Sequence, residues 1–173
     1  MATLRRLLGM LSLSAAAGAA ACADFATPEG AIRELEDAYR DRDIERAVAA
    51  KDFALEARLM LEGLEAKNGS PGLADESLVR QAAEVLELSY RKSIEDAGFP
   101  AMEGVECSFP SKRDVKPGIV EVTERCQYPD GGSSEQRLLV GRTDRGWRVL
   151  YPVGGDGSYL CVAADRADEA VSQ

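Results

Sequence analysis

The sequence contains no histidine. That removes the commonest general base, the commonest zinc ligand and every Ser-His or Cys-His dyad. Four cysteines occur, at 22, 107, 126 and 161, without Cys-x-x-Cys spacing, so no structural zinc site is expected. The Asp/Gly runs at 129–132 and 154–157 lack the spaced acids and terminal Glu of a calcium loop and read as turns. No metal or cofactor is therefore expected. Basic residues are outnumbered by acidic ones, 21 to 30, for a net charge of −9. Phosphate backbones and anionic membrane surfaces repel such a chain, and nucleic-acid binding is not expected. A basic protein partner is electrostatically permitted.

The one clear apolar run lies at the start. Arg5 and Arg6 precede an uncharged stretch, Leu7 to Ala21, rich in Leu, Ala and Ser. Basic end, apolar middle and small residues at the exit describe a secretory signal peptide. The run is short for a bilayer span, which needs about 20 apolar residues. Two processing sites compete. Ala21-Cys22-Ala23 favours cleavage before Asp24, giving a leader over 1–23. Ala19-Ala20-Ala21-Cys22 resembles a bacterial lipobox, which would end the leader at 21 and place a lipid tether on Cys22. Either way the chain is expected to be exported, periplasmic or secreted, or lipid-anchored to the envelope. Loss of the longer leader leaves 150 residues and, without its two arginines, a net charge of −11. That is the size of one domain, expected over 24–163 with a flexible tail at 164–173.

Thr27-Pro28-Glu29 is a helix start: a capping hydroxyl, a proline for the first turn and an acid at the positive dipole end. Ile32, Leu35 and Tyr39 follow at helical spacing, while Glu29/Arg33 and Glu36/Arg40 read as pairs on a solvated face. Asp43 caps a predicted second helix with apolar positions from Ile44 to Leu64. The loop 67–72 separates it from a third helix starting near Asp75. That helix presents Leu78, Ala82, Val85 and Ser89, flanked by Val79, Leu86 and Tyr90, and ends at Gly98 and Pro100. Beyond Pro100, strand signals near 103–109, 118–128, 135–142 and 146–153 alternate with turn clusters, and a fifth lies near 158–162. Helices followed by an antiparallel meander predict an α+β domain, with helices on one face of a four- to five-stranded sheet.

The stretches TPEGAIRELEDAYRDRDIERAVAA and TDRGWRVLYPV resemble the opening helices and closing strand of the nuclear transport factor 2-like superfamily. With the element order, the resemblance spans roughly 27–153. It lacks the strand pair that many members carry between the second and third helices. It implies a cone of helices on a curved sheet, a fold shared by enzymes, small-ligand binders and toxin-neutralising modules, so function must come from the site.

Strand parity assigns faces. Val105, Cys107 and Phe109 share a face with Val120, Val122, Glu124, Cys126 and Tyr128. Leu138, Val140 and Arg142 join them, as do Trp147, Val149, Tyr151 and Val153; this face is expected to meet the helices. A turn centred near Lys116-Pro117 sets Cys107 opposite Cys126, and in an exported chain the pair predicts a disulfide. Cys161 is then left over, a buried thiol or a competing partner for Cys126. Glu124 is a carboxylate on an apolar face, where burial would raise its pKa toward that of a general acid or base. A bulge turning it outward, or a place at the sheet's open end, is the plainer account. Arg142 could orient an anionic ligand, and Tyr90, Tyr128, Trp147 and Tyr151 could line a pocket mouth, though inward aromatics often serve only as core.

With no histidine and no nucleophile constellation, the expectation is a non-catalytic binding protein of the envelope. Its cone cavity or sheet face would take a small apolar molecule or a protein partner, such as a basic toxin neutralised by an acidic immunity-type protein. The alternative is a cavity enzyme of the isomerase or dehydratase kind using Glu124 with a tyrosine. A homodimer through an outer sheet face bearing Ile119, Thr123, Leu139 and Leu150 is a third possibility.

Overall fold

The structure, a computed structural model, describes residues 24–152. The leader with Cys22, Val153, the strand expected near 158–162, Cys161 and the tail lie outside the described residues. Four helices precede a four-stranded antiparallel meander, an α+β arrangement. The helices are α1 (Pro28–Asp41), α2 (Ile44–Ala49), α3 (Phe53–Asn68) and α4 (Glu76–Ala97). The strands are β1 (Glu106–Lys116), β2 (Ile119–Gln127), β3 (Ser133–Thr143) and β4 (Gly146–Pro152), in that spatial order.

Each helix begins on a side-chain cap that satisfies an otherwise orphaned backbone donor. Thr27 accepts from Gly30 N, Asp43 from Arg46 N, Asp52 from Leu55 N, and Asp75 from Ser77 N and Leu78 N. Asp52 is where the structure departs from the predicted second helix, which is two helices. Between them Ala50 closes α2 in a helical conformation and the chain then bridges to β4 at Lys51: Val149 N donates to Ala50 O at 2.9 Å, and Asp52 N donates to Val149 O at 3.3 Å. The break exchanges helical hydrogen bonds for strand ones and covers the open edge of β4.

The main core lies between α1 and the sheet. Ala31, Ile32, Leu35 and Ala38 meet Val120, Val122, Leu138, Val140 and Val149, with Phe109, Trp147 and Tyr90 packed around them. This is the face that parity assigns to the helices. The opposite face is covered too: Ile119, Leu139 and Leu150 are buried against Leu55 and Leu59 of α3. The apolar residues expected on an open outer surface are thus used inside the chain, and only Thr123 among them is partly exposed.

Three further expectations need correction. Tyr151 belongs with Leu150 on the α3 side, because Val140 pairs with Val149 but Leu138 with Pro152; the extra residue in β4 turns Tyr151 over. The α4 stripe with Leu78 and Val85 faces outward, those residues being 39% and 62% exposed. The flanking ridge of Val79, Tyr90 and Ile94 turns inward instead, the Tyr90 ring meeting that of Phe53 at a tilt of 51° with centroids 5.6 Å apart. Finally, Glu36 is not on a solvated face: it is 7% exposed. Its spacing from Ile32 and Tyr39 puts it on the buried stripe of α1.

Candidate functional site

Cys107 and Cys126 are cross-strand partners joined as a disulfide. The hairpin turn is Pro117-Gly118, since Lys116 pairs with Ile119. A regular ladder from that turn would set Cys126 opposite Phe109. Two register shifts, one spanning Phe109-Pro110 and one near Val115, return Cys107 to its partner. Pro110 has no N–H for the ladder, and its place on an edge strand at a bulge follows from that.

Beside the disulfide lies a buried carboxyl pair. A Glu124 carboxylate oxygen and both Sγ atoms lie within 4.8 Å of one another. Glu124 is 5% exposed and accepts a hydrogen bond from Gln136 Nε2, its direct partner on β3. Glu36 approaches it from α1. Burial first, and then the neighbouring Glu124 carboxylate, push the Glu36 carboxyl up to about 7, against the opposing pull of Arg40. Arg40 Nη2 lies 3.3 Å from Glu36 Oε2, while Glu36 Oε1 has no hydrogen-bond partner. Two bare carboxylates cannot satisfy each other, both being acceptors; a proton on Glu36 makes it a donor to Glu124.

The sign of the resulting pH dependence is fixed. The native state holds the Glu36 proton more tightly than the unfolded chain, so its stabilisation is full below about 4.5 and is lost as pH rises through about 7. The melting temperature is expected to fall between pH 5 and 8, and Glu36→Gln to remove most of that fall. Glu56, whose pKa burial also raises, leaves a residual slope. Equal slopes in the two proteins, measured by thermal denaturation across this range, would contradict the shared proton.

The polar line continues inward. Tyr39 Oη and Tyr90 Oη are 2.9 Å apart, and burial raises the pKa of both. Past Tyr90 sits Lys51, on the extended link between α2 and α3. Its Nζ donates to Leu150 O, lies 3.3 Å from Glu56 Oε2, and sits 5.4 and 5.5 Å from the ring centroids of Phe53 and Tyr90. The Glu56 contact lacks hydrogen-bond alignment, leaving Oε2 without a donor. Burial lowers the Lys51 pKa and raises that of Glu56, each against the attraction of the other. Desolvation thus outweighs the pairing on both sides.

A groove of about 880 Å³ opens where α2, α3, α4 and the β3–β4 hairpin meet. Its apolar lining includes Val48, Phe53, Leu55 and Val79, and Lys51 reaches it from within. Several charges around it are matched: Arg58 with Glu76 at 2.6 Å and Arg145 with Asp52 at 3.3 Å. Arg80 and Arg142 also line it, and neither forms an ion pair among the described residues.

The sequence-derived candidates therefore separate. Glu124, Cys107 and Cys126 stand together at one end of the sheet. Tyr128 lies close by, just past the end of β2, its hydroxyl 2.9 Å from Ser134 Oγ on the strand position facing Cys126. Arg142 and Trp147 pair across β3 and β4 at the other end. Six residues separate Arg142 from Gln136, about 20 Å along the strand, so Arg142 and Glu124 share a face without sharing a site. Tyr90 lies between the groups, and Tyr151 on the opposite face. Glu36, Lys51, Glu56 and Gln136 are absent from the sequence-level candidates. Only Glu36 carries a usable signal, its place on the apolar stripe of α1.

No family model, curated protein or solved structure matches the chain. Function has to be argued from the groove and the buried cluster. No helix among the described residues is long and apolar enough to cross a membrane.

Proposed function

We propose that this chain is an exported binding protein of the cell envelope, non-catalytic, whose groove takes a small apolar molecule ending in an anionic group. The carrying observation is the pair Arg80 and Arg142, which form no ion pair among the described residues on a groove of mixed apolar and charged lining, in a chain with 30 acids for 21 bases. Where acids are in excess, an unmatched guanidinium is a vacancy for a carboxylate or phosphate, which it can hold in a bidentate manner. Distant acids oppose this little, because charges beyond about 8 Å are screened at physiological salt, and of the acids on the groove itself Glu76, Asp52, Glu45 and Glu87 are paired with arginines, leaving Glu84 without an ion pair among the described residues. A volume of this size suits a lipid-sized or drug-sized ligand. Export is supported by the leader composition and by the disulfide. The nuclear transport factor 2-like resemblance belongs to the same proposal, since binders occur in that superfamily.

Trp147 supplies the assay. It is the only tryptophan in the chain and the direct cross-strand neighbour of Arg142. Titration with dodecanoate is expected to change its fluorescence saturably, dodecanol to bind more weakly, and Arg142→Ala to lower affinity by about tenfold or more. Equal binding of acid and alcohol, or no saturable signal, would remove the proposal. The competing reading is a cavity enzyme. It is favoured by one observation, the Glu36 carboxyl titrating near 7 beside Glu124, and it requires a substrate to reach that pair.

A further inference from the structure

The disulfide has one accessible end and one protected end. Cys107 is partly exposed on β1, an edge strand with nothing paired on its outer side among the described residues, whereas Cys126 is 6% exposed on β2. The Glu124 oxygen within 4.8 Å of both sulfurs belongs to a buried carboxyl pair, and Glu36 Oε1 in that pair has no hydrogen-bond partner. A purely structural crosslink needs neither feature.

We infer that Cys107–Cys126 is a thiol–disulfide exchange site, in which Cys107 receives an external thiolate and the Glu36–Glu124 pair protonates the departing Cys126 sulfur. The partner is a dithiol, small or carried on a reductase. Its first thiolate attacks Cys107 Sγ; an S–S bond forms to the partner as the Cys107–Cys126 bond breaks. The electron pair of that bond stays on Cys126 Sγ. A thiolate left there would be desolvated and beside a carboxylate, both unfavourable. The carboxyl pair transfers its one proton to the sulfur, leaving Cys126 as a thiol and the pair fully ionised, with Arg40 as counter-charge at 3.3 Å from Glu36. The partner's second thiolate then attacks its own sulfur in the mixed disulfide. Cys107 leaves as a thiolate and takes its proton from solvent. Two electrons pass from the dithiol, which becomes a disulfide, to the protein, which gains two thiols.

The groups facing the pair come from every element around it. α1 contributes Tyr39 and Arg40, and α4 contributes Tyr90 through its hydroxyl contact with Tyr39. β3 contributes Gln136 and Ser134, the turn after β2 contributes Tyr128, and Arg33 lies over the Phe109 ring on β1. The Glu36 carboxyl is the group among these that changes charge between pH 6 and 8.5.

The test is the rate of reduction by dithiothreitol in the full chain carrying Cys22→Ser and Cys161→Ser, so that only this pair reacts. Rates are divided by the dithiothreitol thiolate concentration and reduced thiols are counted by alkylation and mass. The per-thiolate rate constant is expected to fall about tenfold from pH 6 to pH 8.5 as the pair loses its proton. In Glu36→Gln and Glu124→Gln the profile is expected to be flat and, at pH 6, about tenfold slower than in the parent. A flat profile in the parent overturns the inference. So does an unchanged slope in a variant whose circular dichroism is native. Should both variants fail to fold, the parent profile alone decides.

Discussion

Replacing Lys51 with methionine is expected to destabilise the domain by about 3–5 kcal/mol, the usual cost of stranding one partner of a buried ion pair. Methionine fills most of the aliphatic volume, so lost packing contributes little. The cost arises because Glu56 stays buried without its cation and the Leu150 carbonyl loses its donor. Glu56 can relieve part of this by taking a proton, having a raised pKa already, so the penalty should be smaller at pH 5 than at pH 8. Lys51→Met combined with Glu56→Leu removes both charges and should recover most of the loss, the remaining deficit of about 1–3 kcal/mol coming from the Leu150 carbonyl left without its donor. Urea denaturation of the three proteins decides. If the double variant is as unstable as the single, the ammonium stabilises through Leu150 and the Phe53 and Tyr90 rings, and the ion-pair account is wrong.

Loss of the disulfide is the second large effect. Cys107→Ala with Cys126→Ala is expected to cost about 3 kcal/mol, from the freedom returned to the unfolded chain by opening a closure 19 residues apart. For a domain of this size that lowers the melting temperature by roughly 10 °C. The pair ties an edge strand carrying Pro110 and two register shifts to β2, so β1 is the element whose amide protection should fall most. A melting temperature unchanged by both alanines, or protection lost uniformly across the sheet, would show that the ladder holds β1 without the crosslink.

The layout was largely legible because caps and turns are local chemistry. Thr27, Asp43 and Asp75 each announce a helix start, and each accepts the expected backbone donor. The disulfide was legible from parity, but its register depended on compensation: the turn sits one residue later than expected, and two bulges absorb the difference. Asp52 hides inside an apolar period that runs on from Ile44, and what breaks the helix there is pairing with Val149, a contact 97 residues away. Tyr151 turns over for a similar reason, since a bulge reverses parity without marking the sequence. On α4 two apolar ridges compete, and the winner is set by Phe53 and Tyr39 in other helices.

The candidate functional residues divide along the same line. Glu124 stands out in sequence as an acid among apolar neighbours, but its partners Glu36 and Gln136 come from distant segments. Lys51 could not be singled out, since a lysine near a helix end is ordinary until the fold buries it. The groove needs four elements at once, so Arg142 stands in the sequence as a candidate to orient an anionic ligand while Arg80, which lines the same groove, does not.

The most direct test of the binding proposal is native mass spectrometry of the protein taken from its own cell envelope, beside a denatured spectrum of the same sample. The account predicts a non-covalent adduct of small-molecule size, carrying an acidic group, that denaturation releases and that Arg142→Ala with Arg80→Ala abolishes. A native mass equal to the denatured mass, or an adduct retained by the double variant, would contradict it.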